Sequence, residues 1–202
     1  MRRADKKKPT YHHGDLRRAL LDAAIALVGE GGIDALTLRE AARRAGVSHN
    51  APYRHFADKE ALLVAIATEG FERLADALAA AESEAPDDFE RFVGGGEAYV
   101  TFALENAAHY RVMFGPTLAN KIGQHPELDV VGMRAFKGLL DHVERAEARG
   151  LLPGDRPADA IAMTMWAYVH GLAMLVLDGH LPLEADAARA LVRGTATTMT
   201  RA

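Results

Sequence analysis

Apolar residues recur along this chain at helical rather than strand spacing. Leu16, Ala19, Leu20, Ala23, Ala24 and Leu27 fall on one face of a helix predicted over residues 15–29. Asp15 is placed to cap it, and the run of glycines at 29–32 is placed to end it. A second helix starts at Thr37, where TLRE has the form of a capping box, and stops at Gly46. A third, short and polar, occupies residues 48–56. Pro52 has to lie in its first turn, because deeper in a helix it removes a hydrogen bond. Asp58 caps a long helix over 58–85 that carries Leu62, Leu63, Ile66, Phe71, Leu74 and Leu78 towards Pro86. Beyond Pro86 the pattern predicts helices over 88–106, 107–114, 126–149, 158–177 and 184–199, separated by glycine and proline breaks. Gly94, Gly95 and Gly96 fall inside one of them and predict a weakened or kinked helix. No alternating pattern bounded by hairpin turns is present, so the expected fold is all-α.

The spacing suggests an organisation. Residues 1–13 form a basic flexible arm, 14–74 a helix-turn-helix unit centred on about 37–56, and 86–202 a second helical domain, with the helix over 58–85 bridging them. Residues 161–177 carry no formal charge. A single uncharged stretch of that length, with His170 and Gly171 inside it, reads as a buried helix rather than a membrane span.

Composition narrows the classes. With 49% hydrophobic and 26% charged residues, the chain is that of an ordinary globular protein. It has no cysteine, which excludes a disulfide framework and a thiolate metal site. The basic N-terminal residues are not followed by an apolar run, so no signal peptide is expected, and a cytoplasmic protein is. Residues 1–57 hold 11 Lys and Arg against 6 Asp and Glu, a balance of +5, whereas 58–202 carries −9. A basic front on an acidic body points to a polyanion partner for the front alone.

The third predicted helix then acquires a meaning. Small Ala41, Ala42 and Ala45 allow close helix approach, Gly46 makes the turn, and Val47 plugs the core behind it. His49, Asn50 and Arg54 have no evident internal partner, and of Tyr53 and Phe56 at least one faces the core. An exposed first turn with His and Asn suits base edges in a major groove. Ser48, Tyr53, His55 and Lys59 offer donors to phosphate oxygens.

The stretch LTLREAARRAGVSHNAPYRHFADKEALL resembles the DNA-binding region of the tetracycline-repressor (TetR) family of bacterial transcriptional regulators, over residues 14–74. The resemblance implies a recognition helix at 48–56. His49 and Asn50 would face bases, with Arg54 able to read bases or hold phosphate. Thr37, Ser48, Tyr53, His55 and Lys59 would hold phosphates. WAYVHGLAML at 166–175, with HYRVMFGP at 109–116, resembles the WHG-type C-terminal domain found in part of this family. That implies a helical ligand-binding and dimerisation domain, a homodimer through the last two helices, and a palindromic double-stranded DNA operator.

Tyr99, Phe102, Tyr110, Met113, Phe114, Met133, Phe136, Met163, Trp166 and His170 are the candidates for lining a pocket for a small, largely apolar effector. Each taken singly reads more readily as simple core, and His170 more readily as a packed or interface histidine. No metal or cofactor site is expected. Metalloprotease, phosphate-loop, nucleophile-elbow and EF-hand patterns are missing, so an enzyme is disfavoured. A helical protein-interaction module without DNA readout is the alternative class, and a helical enzyme using His109 or His170 the more remote one.

Overall fold

The computed structural model describes residues 13–119, 121, 123–152 and 157–200. The basic arm expected over 1–13 lies, except for His13, outside the described residues. Among those described there are helices and turns but no strand. The chain divides into two compact units, Met1–Ala65 and Ile66–Ala202.

In the first unit, α1 (His13–Ala35) presents Leu20, Leu21, Ala24 and Val28 to a core completed by Leu36, Leu38, Ala41, Ala42, Phe56, Leu62 and Leu63. α1 begins ahead of Asp15, so Asp15 lies inside the helix rather than at its cap. The glycine run bends the helix at Gly32 (φ 74°) instead of ending it at Gly29. α2 (Leu38–Arg44) starts where Thr37 accepts the Glu40 backbone N–H at 3.1 Å. The other half of the expected capping box is absent: the Glu40 carboxylate accepts Arg43 Nε at 2.9 Å instead of reaching back. At the far end Gly46 takes φ 69°, the left-handed conformation that costs glycine least. Its N–H donates to Arg43 O at 3.2 Å and Val47 N–H donates to Ala42 O at 3.0 Å, which closes the helix as a Schellman motif.

The third helix departs from expectation. Only a 3-10 turn, Pro52–Arg54, forms within residues 48–56. Pro52 is the cause. It stands four residues after Ser48 and has no N–H to give, so Ser48 O accepts from Ala51 N, three residues on, at 2.9 Å. α3 (Lys59–Glu84) then begins behind the Asp58 cap, whose carboxylate accepts Ala61 N–H at 2.8 Å.

In the second unit, α4 (Asp88–Glu105) is the hub and packs against α7 (Pro126–Ala148), α8 (Ala158–Leu177) and α9 (Ala185–Thr200). α5 (Ala107–Met113) and the short α6 (Pro116–Ala119) occupy the connection between α4 and α7. α6 was not expected at what reads as a Gly-Pro break. Phe92, Val93, Val143, Ala146, Ile161, Ala162 and Ala196 form one core cluster of this unit.

The triple glycine does not kink α4. Each glycine instead faces a different neighbour. A Cβ on Gly94 would lie 3.9 Å from Ala81 O, on Gly95 3.6 Å from His142 Nε2, and on Gly96 2.8 Å from Val192 Cγ1. Close packing explains Gly96 alone; at Gly94 and Gly95 a Cβ would make ordinary contacts. Gly96→Ala is expected to overpack against buried Val192, at a cost of about 1–3 kcal/mol that exceeds the roughly 1 kcal/mol helix-propensity gain. Gly94→Ala has room and should gain that propensity. Thermal melts should move in opposite directions, by about 2–4 °C per kcal/mol. Equal shifts would mean that Gly96 is not packed as described.

His142 on α7 is buried, lies parallel to the Phe92 ring at 5.8 Å, and leaves Nε2 without a hydrogen-bond partner. Burial lowers its pKa from 6.5; a backbone bond to Phe92 and the Glu82 charge oppose this, and Arg145 and Arg91 reinforce it. The unfolded chain therefore takes this proton more readily than the folded one. Stability present above pH 6.5 should be lost as pH falls through the folded-state value. Urea titrations between pH 7.5 and 5 should show a shallower loss for His142→Phe than for the parent chain.

α8 is long and apolar enough to cross a membrane, with a mean hydropathy of 1.7, yet only 33% of its most apolar window is buried. The expectation of a buried helix is thus met on one side only. The other side exposes Met163, Thr164, Ala167 and Leu175.

Candidate nucleic-acid interface and effector site

The turn after α2 projects a run of side chains outward. Ser48, His49, Asn50, Tyr53 and Arg54 are all exposed, Tyr53 to 52%, and none of them makes a side-chain hydrogen bond or ion pair among the described residues. Of the two aromatics, Phe56 faces the core and carries the Arg17 guanidinium over its ring at 5.5 Å. His55 is half-buried. Thr37 is exposed, and its hydroxyl oxygen is already an acceptor at the α2 cap, which leaves the hydroxyl proton to donate. Lys59 is partly committed: Nζ donates to Ile33 O at 2.7 Å. Two of its three N–H groups remain for other acceptors.

The arginines of this unit divide. Arg18 pairs with Asp22 through Nε at 2.8 Å, Arg43 with Glu40, and Arg44 with Glu30 at 2.5 Å. Arg39, two residues after the Thr37 cap, is exposed and has no such partner among the described residues. It was missed in the sequence. Its only signal there was the basic surplus of the front, and identifying it requires knowing which other arginines are already paired.

In the second unit, four polar side chains of the sequence-nominated pocket meet. Tyr110 Oη lies 2.7 Å from His170 Nδ1, Tyr99 Oη 3.2 Å from the same atom, and the two hydroxyls 3.1 Å apart. Trp166 Nε1 donates to Tyr99 Oη at 3.2 Å. Apolar rings frame this network. Phe114 meets His170 edge-on at 4.7 Å and tilts against Tyr110 at 4.8 Å, and Phe136 meets Trp166 at 6.0 Å. Burial raises both phenol pKa values, that of Tyr99 to about 12 against the lowering effect of its bonds to Tyr110 and Trp166. Burial lowers that of His170. Trp166, His170, Phe114 and Phe136 stay half-buried.

The remaining pocket candidates lie elsewhere. Met133 and Met163 are 67% and 49% exposed, on the outer faces of α7 and α8. Helical spacing alone could not tell an outer apolar face from an inner one. Met113 is buried against Gly70, where a Cβ would come within 2.5 Å of its Sδ. Phe102 borders a different space, an open cleft of about 610 Å³ between the C-terminal half of α3 and α4. Glu84, Glu90, Glu97, Glu105, Arg73 and Arg189 also line that cleft, so it is highly charged. Arg193 bridges Glu90 and Glu97 at 2.8 Å each. That cleft is therefore a charged surface groove, and the aromatic network is the more apolar of the two surroundings.

A coupling element adjoins the network. His109, next to Tyr110 on α5, places Nε2 3.3 Å from Glu69 on α3. With Gly70 against Met113, this fastens α5 to α3 at two points.

Comparison with known proteins identifies the fold. Residues 20–66 match the family described as bacterial regulatory proteins, tetR family. Residues 92–198 match the tetracyclin repressor-like C-terminal domain, and that span includes both motifs behind the WHG-type resemblance. The HTH-type transcriptional regulator BetI of Rhizobium meliloti is 30% identical over 178 residues, 87% of this chain and 84% of that one. The HTH-type transcriptional regulator TtgR of Pseudomonas putida is 28% identical over 170 residues, 78% of each chain. A solved structure of a Rhodococcus sp. RHA1 protein of unknown function superposes with a TM-score of 0.82 at 38% identity, covering 96% of this chain and 98% of that one. With an exposed turn after a capped short helix in one unit and an all-helical second unit, the chain belongs to the TetR family and is a DNA-binding transcriptional regulator.

Proposed function

We propose that the protein is a cytoplasmic homodimer that reads a palindromic operator through residues 48–56 and releases it when an apolar effector occupies the aromatic network. The observation that carries the DNA-reading assignment is the row of exposed side chains without partners on the turn beside α2, in a unit whose other arginines are mostly paired. His49 and Asn50 read base edges, and Arg54 reads bases or holds phosphate. Thr37, Ser48, Tyr53, His55 and Lys59 hold phosphate oxygens, and Arg39 joins them. A 3-10 turn serves this purpose as well as an α-helix would, since what matters is a short rigid element that presents its first residues.

Dimerisation uses α8 and α9. Their exposed faces carry Met163, Ala167 and Leu175 on α8 and Ala187, Ala190, Leu191 and Gly194 on α9. Nothing lies within 4 Å of where a Cβ would stand on Gly171 or Gly194, so a partner helix has room to approach closely. Two-fold symmetry then sets the half-site spacing. Effector binding at Tyr110 and His170 shifts α5, and the His109–Glu69 and Gly70–Met113 contacts pass that shift to α3. A coupling of about 1–3 kcal/mol changes operator affinity roughly 5–150-fold.

Binding of the full chain to operator DNA selected from a random pool tests the reading. His49→Ala and Asn50→Ala should each cost about 1–3 kcal/mol and relax preference at particular base pairs. Arg39→Ala should weaken all sequences alike and reduce the salt slope by about one ion. If selected sites and affinities were unchanged in all three variants, residues 48–56 would not be the reading element.

A further inference from the structure

The aromatic network restricts what its ligand can be, and this inference rests on that network being the effector site. The proton count fixes the state of His170. Trp166 N–H is used by Tyr99 Oη. Two hydroxyl protons remain, on Tyr99 and Tyr110, and the acceptors within reach are the other hydroxyl and His170 Nδ1. If Nδ1 carried a proton, the two hydroxyls would have to donate to each other simultaneously, and one buried hydroxyl proton would be left without an acceptor. Every arrangement that uses both protons makes Nδ1 an acceptor. His170 is then neutral with its proton on Nε2, which agrees with the lowering of its pKa by burial.

That Nε2–H has no partner among the described residues and is not completely buried. The rings of Phe114 and Trp166 pack against the His170 ring, and Phe136 packs against Trp166. None of the hydrogen bonds or ring contacts described for the network involves a Lys, Arg, Asp or Glu side chain. The network thus satisfies its own inward polar groups and offers one outward donor among apolar faces. A carboxylate would be desolvated there without a counter-cation, and an ammonium would meet an N–H rather than an acceptor.

We propose that the effector is an uncharged, mainly apolar molecule bearing one hydrogen-bond acceptor, such as a ketone or ester carbonyl, which accepts from His170 Nε2–H. Trp166 is the sole tryptophan in the chain, so intrinsic fluorescence reports this site directly. The test titrates the full-length protein with three probes of equal chain length: 2-octanone, octanoate and octylammonium. The ketone should perturb Trp166 saturably and bind about tenfold or more tighter than either ion. His170→Asn keeps an acceptor near the Nδ1 position and removes the outer donor, so it should lose about tenfold for the ketone, roughly the effect of one unmade hydrogen bond. His170→Gln keeps a donor near the Nε2 position and should retain ketone binding within about threefold. Octanoate or octylammonium binding as tightly as the ketone, or His170→Asn binding it unchanged, overturns the proposed ligand chemistry while leaving the network as the effector site. Silence of Trp166 with all three probes overturns both.

Discussion

Leu191→Arg is expected to convert the proposed dimer into monomers at micromolar concentration and to remove measurable binding to the proposed palindromic operator. α8 has the composition of a fully buried or membrane helix, although one protomer buries only a third of its most apolar window. On α9, Leu191 is 48% exposed among Ala187, Ala190 and Gly194. Leu175 on α8 is 44% exposed. A protomer with this much small and apolar surface on two consecutive helices has a face to cover. In the proposed dimer a second copy would cover it by symmetry, and small residues would allow the four helices to approach closely. An arginine at 191 then appears twice in the interface. An unpaired charge buried in an interface costs about 3–5 kcal/mol, and two-fold symmetry doubles it. Dimer association should weaken by about ten-thousandfold or more by that reckoning. Sedimentation velocity reads the result, and Leu191→Ala serves as the control that keeps the dimer. A parent-like sedimentation coefficient for Leu191→Arg would move the dimer interface away from α9.

The helices and their punctuation were legible because they depend on local chemistry. Thr37 caps α2, Gly46 ends it, and Asp58 starts α3 as their side chains dictate, and the long element after Asp58 ends close to Pro86. Most of the larger errors have non-local causes, whereas the one over 48–56 is local. Propensity argues for a kink at Gly94, Gly95 and Gly96, but α4 runs through them, and Gly96 is where a neighbour, Val192, leaves no room for a Cβ. The pattern over 48–56 is helical in its apolar spacing, while the missing Pro52 N–H changes which carbonyl bonds close. α8 is apolar all round, so its sequence does not separate a core face from an exposed one, and Met163 falls on the exposed side. The polar network of Tyr99, Tyr110, Trp166 and His170 joins three helices, and in sequence only the spacing of Trp166 and His170 hints at it. Arg39 is indistinguishable from Arg43 and Arg44 until Glu40 and Glu30 are seen to pair with those two.

Lys59→Glu should abolish operator binding, and the reason separates two roles that a single lysine combines. Its ammonium donates to Ile33 O, just after the bend at Gly32, and so ties the start of α3 to the end of α1. Its other donors are free to meet a phosphate. Glutamate loses both interactions: it sets a carboxylate against the Ile33 carbonyl and against the nucleic-acid backbone. Lys59→Met separates the roles by keeping the aliphatic stem. Leu36 N–H also donates to Ile33 O, at 3.2 Å, so that carbonyl is not stranded when the lysine is removed. The cost to folding should therefore be only about 1 kcal/mol, visible as a small drop in melting temperature. The effect on DNA should be larger in kind. One phosphate contact fewer makes the plot of log affinity against log salt shallower by about 0.9, equally for specific and nonspecific DNA. Arg39→Ala supplies the reference, because it should flatten the salt dependence with no change in melting temperature. A Lys59→Met protein that melts lower but keeps the parent salt slope would make Lys59 a structural tie alone, and the phosphate role would pass to its neighbours.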